Sequence, residues 1–171
     1  MNELAITVIG HDRPGIVADV AGLLAGLGAN LTDSTMTRLR GQFAMTLVCA
    51  GPSSVEQVEA VLAPLSADGR LLATVWAVRP DAGTVPAGEP HVLSVHGADR
   101  LGIVAAVTRV VARAGGNVTD LSTRLAGPLY VLIAEVDLLP GTADRVSAEL
   151  AEVAAGLDVG VSLRRAESDV L

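Results

Sequence analysis

Residues 10–33 read GHDRPGIVADVAGLLAGLGANLTD, and residues 97–120 read GADRLGIVAAVTRVVARAGGNVTD. Both stretches contain Asp-Arg-x-Gly-Ile-Val-Ala and, at the same distance beyond it, Gly-x-Asn-x-Thr-Asp, an offset of 87 residues from Asp12 to Asp99. That period is too long for a solenoid unit and fits a small domain. The 171-residue chain is therefore expected to fold as a tandem: one domain over residues 1–79, a linker over 80–90 and a second domain over 91–171. Domains of about 80 residues bury little apolar surface on their own, so the halves are expected to pack on each other or on a second chain.

The hydrophobic pattern repeats along with the letters. Ile16, Val20, Leu23, Leu24 and Leu27 mark one face of a helix, and Ile103, Val107, Val110, Val111 and Ala114 mark the same face in the second half. Gly28 and Gly115 follow the last periodic residues, where a left-handed cap is wanted. Around each helix the order reads strand, helix, strand, strand, helix, strand. In the first half the strands are Leu4–Ile9, a threonine-rich run from Asn30 to Arg40, Phe43–Ala50 after a Gly41-Gln42 turn, and Leu71–Val78; Ser53 and Glu56 suggest a capping box for the second helix. The second half repeats this with strands at Asn117–Leu125, Leu129–Leu138 and Val159–Leu163, one residue shorter between Asp120 and Thr123. Arg79 to Pro90 holds three prolines and two glycines without periodicity, as a linker does. The fold class expected is α+β: two tandem ferredoxin-like βαββαβ units, each an antiparallel sheet with both helices on one face.

Composition removes several function classes. The formal net charge is −7, and the twelve basic residues are arginines, scattered singly but for Arg164-Arg165, without a lysine. Phosphate binding needs a basic stripe, so no direct contact with nucleic acid is expected. Asp19, Arg109 and Arg113 break the long apolar stretches, so no membrane span is expected. Met1-Asn2-Glu3 lacks the basic start of a signal peptide, and the expected location is the cytoplasm. The single cysteine, Cys49, lies in an apolar strand and reads as a small core residue. His11 has Ala98 as its counterpart, His91 falls in the linker, His96 has no visible partner, and no cluster has metal-ligand spacing. Neither a metal nor a cofactor is expected. Arg38 and Arg124, in a shared Thr-Arg-Leu triplet, read as solvated strand positions.

The first strand-to-helix turn is where chemistry could reside. Asp12-Arg13-Pro14-Gly15 ends a strand and opens a helix, with Asp12 expected as N-cap and Pro14 in the first turn. Gly15 admits a close neighbour, a helix N-terminus suits a carboxylate, and the Asn30 amide both donates and accepts. Asp99, Gly102 and Asn117 keep these separations. Such a set supplies donors for the carboxylate of a zwitterionic amino acid and an acceptor for its ammonium. The same residues serve equally well as a cap, a packing glycine and a turn amide.

DRPGIV, followed fifteen residues after its glycine by asparagine, in a βαββαβ unit of this size, resembles the ACT domain, a small regulatory module that binds amino acids. The N-terminal half, through GANLTDSTMTRLRGQFAMTLVCAGP, is similar to the tandem-ACT repressors of the glycine cleavage system. The likeness covers nearly the whole chain, with Leu101 replacing the motif's proline in the second half. It implies a site where the first strand–helix loop of one unit meets the second strand of its neighbour. Carried over by position, the ligand-binding residues are Asp12, Arg13, Gly15, Ile16 and Asn30, with Asp99, Arg100, Gly102, Ile103 and Asn117 in the second half. It further implies a non-enzymatic regulator of a protein partner, glycine or serine as ligand, and pairing of units within a chain or across a homodimer. The alternative is an ACT-fold interaction or oligomerisation module that works without a ligand. An enzyme is disfavoured, since the repeated turn pairs no base with a nucleophile.

Overall fold

A computed structural model describes residues 1–79 and 88–166. The chain divides into two compact units, Met1–Ala82 and Gly83–Leu171. The first contains β1 (Asn2–His11), α1 (Ile16–Gly26), β2 (Asn30–Leu39), β3 (Gln42–Gly51), α2 (Val55–Leu62) continued by a 3₁₀ turn (Ala63–Ser66), and β4 (Leu71–Ala77). The second contains β5 (Glu89–Ala98), α3 (Ile103–Arg113), β6 (Asn117–Ala126), β7 (Leu129–Leu138), α4 (Ala143–Leu157) and β8 (Val159–Arg165). Both sheets are antiparallel throughout, in the orders β2-β3-β1-β4 and β6-β7-β5-β8. The expected βαββαβ arrangement is thus present twice.

Most of the segment read as a linker lies outside the described residues. Glu89 and Pro90, however, are strand: Pro90 pairs with Asp137 at the start of β5. A proline is tolerated at the beginning of a strand, where it withholds only one ladder donor. His91, also read as linker, is buried, with Nδ1 2.8 Å from the Glu89 carbonyl oxygen.

Alternate strand residues build one core in each unit. In the first, Leu4, Ile6 and Val8 of β1 and Phe43, Met45, Leu47 and Cys49 of β3 meet Ile16, Val20 and Leu24 of α1 and Val58 and Leu62 of α2. In the second, Leu93, Val95, Leu132, Ala134, Val136 and Leu138 meet Ile103, Val107 and Val110 of α3 and Val146 and Leu150 of α4. Both helices of a unit therefore cover the same face of its sheet. The other face of the first sheet is open, and the register lays one row of threonines across all four strands: Thr35, Thr46, Thr7 and Thr74. Apolar side chains flank that row, with Ile9, Leu72 and Trp76 about half exposed.

Helix ends follow the glycines. The amide of Gly28 donates to the Ala25 carbonyl and that of Ala29 to the Leu24 carbonyl, while Gly115 and Gly116 do the same to Ala112 and Val111. These are complete Schellman caps, with Gly28 at φ 71° and Gly115 at φ 74°. Around Gly28 nothing would touch an added Cβ, so Gly28→Ala tests backbone strain alone. It should cost about 1 kcal/mol and lower the melting temperature of an 80-residue unit by ~4–8 °C in calorimetry.

Two local expectations shift by one residue. The capping box of α2 uses Ser54 and Gln57, not Ser53 and Glu56. Ser53 is buried, and its carbonyl accepts from Asn2 Nδ2 at 3.0 Å, while Ser54 Oγ donates to Glu56 at 2.6 Å and holds that carboxyl below its ordinary range. The β2–β3 hairpin turns at Arg40-Gly41, not Gly41-Gln42: Leu39 pairs with Gln42, and Arg40 and Gly41 stand at φ 51° and 82°, the type I′ signature.

Cys49 is buried in the first core, as its apolar surroundings suggest, and burial pushes its thiol pKa up. A thiol raised in the folded state stabilises the fold below its ordinary pKa and loses that contribution as pH rises past it. Wild-type chain should therefore lose more stability than Cys49→Ala between pH 7 and pH 10, read from urea midpoints at the two pH values.

Candidate functional site

The loop from β1 to α1 is held at its base by backbone bonds: His11 N–H donates to the Arg70 carbonyl and Asp12 N–H to the Gly41 carbonyl, at 2.9 and 3.0 Å. The residue that caps α1 is Gly15, at φ 89°, and no side chain caps the helix. The expectation of Asp12 as N-cap and Pro14 in the first turn is corrected accordingly, since the left-handed Gly15 turns the chain only after both have passed. The first-turn N–H groups, from Ile16 to Ala18, are left without a side-chain acceptor, because the first helical bond runs from Asp19 N–H to the Gly15 carbonyl.

The charged side chains divide their tasks. Arg13 folds over the first turn, donating from Nη2 to Asp19 Oδ2 at 2.8 Å and from Nη1 to the Pro14 carbonyl at 3.2 Å. The Asp12 carboxylate accepts from Arg38 Nη1 at 3.3 Å. Ile16 is 1% exposed, so its side chain is core and only its backbone faces the loop. Beside the loop lies a cleft of ≈ 230 Å³, lined by His11, Asp12 and Arg13 on one wall and Leu65, Asp68 and Arg70 on the other.

Asn30 is not part of this group within the unit. It pairs with Ala50, which pairs with Glu3, whereas the loop follows His11 at the other end of β1. Eight residues of strand separate the two rows, about 26 Å at ~3.3 Å per residue. Asn117 likewise pairs with Asp137 at the end of the second sheet away from Asp99. It lines an open groove of ≈ 530 Å³ beside α3, together with Thr108, Arg109 and Gly116.

The second unit keeps the backbone and changes the side chains. Gly102 caps α3 at φ 92°, again with no side-chain cap, and Ile103 is buried. Leu101 is fully exposed where the first unit has Pro14, and Ala106 stands in place of Asp19. Arg100 pairs with Asp158 at 3.6 Å instead.

Arg38 and Arg124 are exposed strand residues, as read, but sheet register shows that they are not counterparts. Phe43 lies opposite Gly10 and Tyr130 opposite Gly97, and Arg38 faces Phe43 while Leu125 faces Tyr130. The counterpart of Arg38 is thus Leu125, and no residue is lost between Asp120 and Thr123. Arg124 faces Val131 one step along, so it emerges on the opposite face of its strand. The shared Thr-Arg-Leu triplet is a slipped coincidence. The contact of Arg38 with Asp12 was not foreseen because that triplet suggested a surface repeat; constant spacing from the Gly15 and Gly102 motifs through both hairpins was the signal that could have found it.

A profile of the ACT domain matches residues 2–75 and 89–164, one copy in each unit. The chain belongs to the ACT domain family. A UPF0237 protein of Methanopyrus kandleri is 48% identical over 48 residues, covering 28% of this chain and 53% of that protein. The chain thus spans about half the length of that relative. A UPF0237 protein of Listeria monocytogenes is 38% identical over 64 residues, 37% of this chain and 72% of its own length. Among solved structures, an unknown protein from Galdieria sulphuraria superposes with a TM-score of 0.83 at 26% identity, covering 97% of this chain and 99% of that one. A protein provisionally named a glycine cleavage system transcriptional repressor gives 0.73 at 23% identity, with 98% of both chains covered, and so shares the fold. Among the described residues, no helix of this ACT protein is long and apolar enough to cross a membrane, and no group of three His, Cys, Asp or Glu side chains could hold a metal ion.

Proposed function

We propose that this ACT protein is a non-enzymatic cytoplasmic regulator that binds a small amino acid and thereby alters its hold on a protein partner. The observation that carries this reading is the uncapped α1 N-terminus on a left-handed glycine, set beside the Asp12 carboxylate. Free N–H groups and the helix dipole suit an α-carboxylate, and Asp12 suits an α-ammonium. The far position of Asn30 fits a site completed by a second copy. β2 is an edge strand ten residues long and mostly exposed. Antiparallel pairing of two β2 edges sets the Asn30 end of one beside the Leu39 end of the other, next to its β1–α1 loop. The likeness to the glycine cleavage repressor favours glycine or serine as ligand. With a net charge of −7 and no basic stripe, any influence on transcription passes through the partner.

The test is a thermal-shift screen of the twenty amino acids on the whole chain. At a hundred times its Kd a ligand adds about 2.7 kcal/mol and moves the midpoint by several degrees. The responder should lose its effect with Asn30→Ala or Asp12→Asn. A flat screen, with Asn30→Ala unchanged in partner binding, would turn the reading to the ligand-independent interaction module. The open sheet face with Ile9, Leu72 and Trp76 is what favours that second reading.

A further inference from the structure

We infer that the N-terminal unit alone carries the amino-acid site, and that Arg38 is the residue that takes the ligand's carboxylate there. The inference rests on the sensor reading above and adds to it a residue, a mode of recognition and a count.

Arg38 is placed by register. It lies opposite Phe43, on the helix-covered side of β2, close to where the hairpin turns, and this brings its guanidinium to the Asp12 carboxylate. A single contact at 3.3 Å joins them, with the Arg38 side chain 69% exposed and that of Asp12 28% exposed. Among the described residues Asp12 is the only hydrogen-bond partner of the guanidinium, so most of its five donors are unspent. Exposed ion pairs of this kind contribute little to stability and exchange partners readily. Arg13 is the less available of the two, because it is already held by two bonds, to Asp19 and to the Pro14 carbonyl, against one for Arg38.

The Asp12–Arg38 pair is the complement of a zwitterion. An amino acid entering between them gives its ammonium to Asp12 and its carboxylate to Arg38 and the free N–H groups of α1. Each partner trades one charge-assisted bond for another, and the planar guanidinium fork suits a carboxylate better than it suits its present single contact.

The second unit has no such pair. Leu125 occupies the register position of Arg38 and is 47% exposed, while Arg124 donates to the Thr123 carbonyl and emerges on the other face of β6. Asp99 has no ion-pair partner among the described residues, and Arg100 is drawn to Asp158. With the cation replaced by leucine, the second unit keeps the free N–H groups of α3 and the Asp99 carboxylate but has no guanidinium at this position to take the ligand's carboxylate.

Isothermal titration of the whole chain, using each amino acid that raises its melting temperature together with the amide and the N-acetyl derivative of that amino acid, tests this. One site per chain is expected. The amide should bind on the order of ten- to a hundredfold more weakly than the free amino acid, the range for loss of a charge-assisted contact. Arg38→Leu should weaken the amino acid by a similar factor and erase its advantage over the amide, while the N-acetyl derivative stays weak. Arg38→Lys should retain part of the advantage, and Arg124→Leu and Asp99→Asn should change neither number nor affinity of sites. Two equal sites per chain, or an Arg38→Leu chain that still prefers the free amino acid to the amide, would overturn the inference and leave the sensor reading standing. A wild-type chain that responds to none of the twenty would overturn both.

Discussion

Replacing Gly10 with alanine is expected to destabilise the N-terminal unit by about 3 kcal/mol or more, the range for a side chain forced into filled space. An ideal Cβ at this position would lie 2.0 Å from the Arg70 carbonyl oxygen and 2.8 Å from Leu71 Cα. Both are backbone atoms, so no rotamer change can make room. The same carbonyl accepts the His11 amide, and the neighbouring Leu71 is core. Pushing β4 away therefore opens the sheet, the core and one wall of the cleft together. For a unit of this size the melting temperature should fall by roughly 12 °C or more in calorimetry. Gly97 in the second unit meets the Val159 side chain at 2.9 Å and its Cα at 3.1 Å, so Gly97→Ala should cost less. If Gly10→Ala melts within two degrees or so of wild type, the close passage of β4 over β1 is wrong.

Ile16→Ala should cost about 2–4 kcal/mol, the usual range for truncating a fully buried aliphatic side chain. Ile16 is the first residue of α1, and its side chain is the anchor that seats the helix start against Val20, Leu24 and the sheet. Losing it frees the uncapped turn, so ligand response should vanish along with stability. Ile16→Val removes one methylene and should cost only about 0.5–1.5 kcal/mol, with the response retained. Urea denaturation followed at Trp76, with and without the responding amino acid, separates the two variants.

How much of this could be read from the letters depends on which physical rule wrote them. Helix faces and their glycine ends were legible, because Ile16 to Leu27 and Ile103 to Ala114 obey the 3.6-residue period and the Schellman cap demands a positive φ at Gly28 and Gly115. The strands were legible to within a few residues, and Cys49 was rightly placed in the core. Proline misled at Pro90, because strand starts tolerate it, and buried His91 was lost with it. At the loop, the expected cap failed because Asp12 has two competing uses, helix donor groups and a cation across the sheet, and local sequence displays only the first. Asn30 and Asp12 both flank α1 in sequence, yet a helix returns the chain to the far end of its sheet, so within a unit they lie apart. Arg38 and Arg124 show the sharpest limit: in a strand, misaligning by one letter exchanges the two faces.

Among the described residues each sheet ends in two strands paired on one side only, β2 and β4 in one unit and β6 and β8 in the other. Counted as bonding valences, that is four among the described residues, and valence decides whether assembly stops. A two-fold contact through one edge consumes itself and closes, whereas contacts joining unlike edges propagate without end. The two kinds of edge are built accordingly: β2 and β6 are ten residues long, β4 and β8 only seven, and β8 closes in Arg164 and Arg165. Short, charged edges are poor templates for further strands. The length difference between the outer strands thus makes β2 and β6 the fuller templates for a further strand, and β4 and β8 the poorer ones.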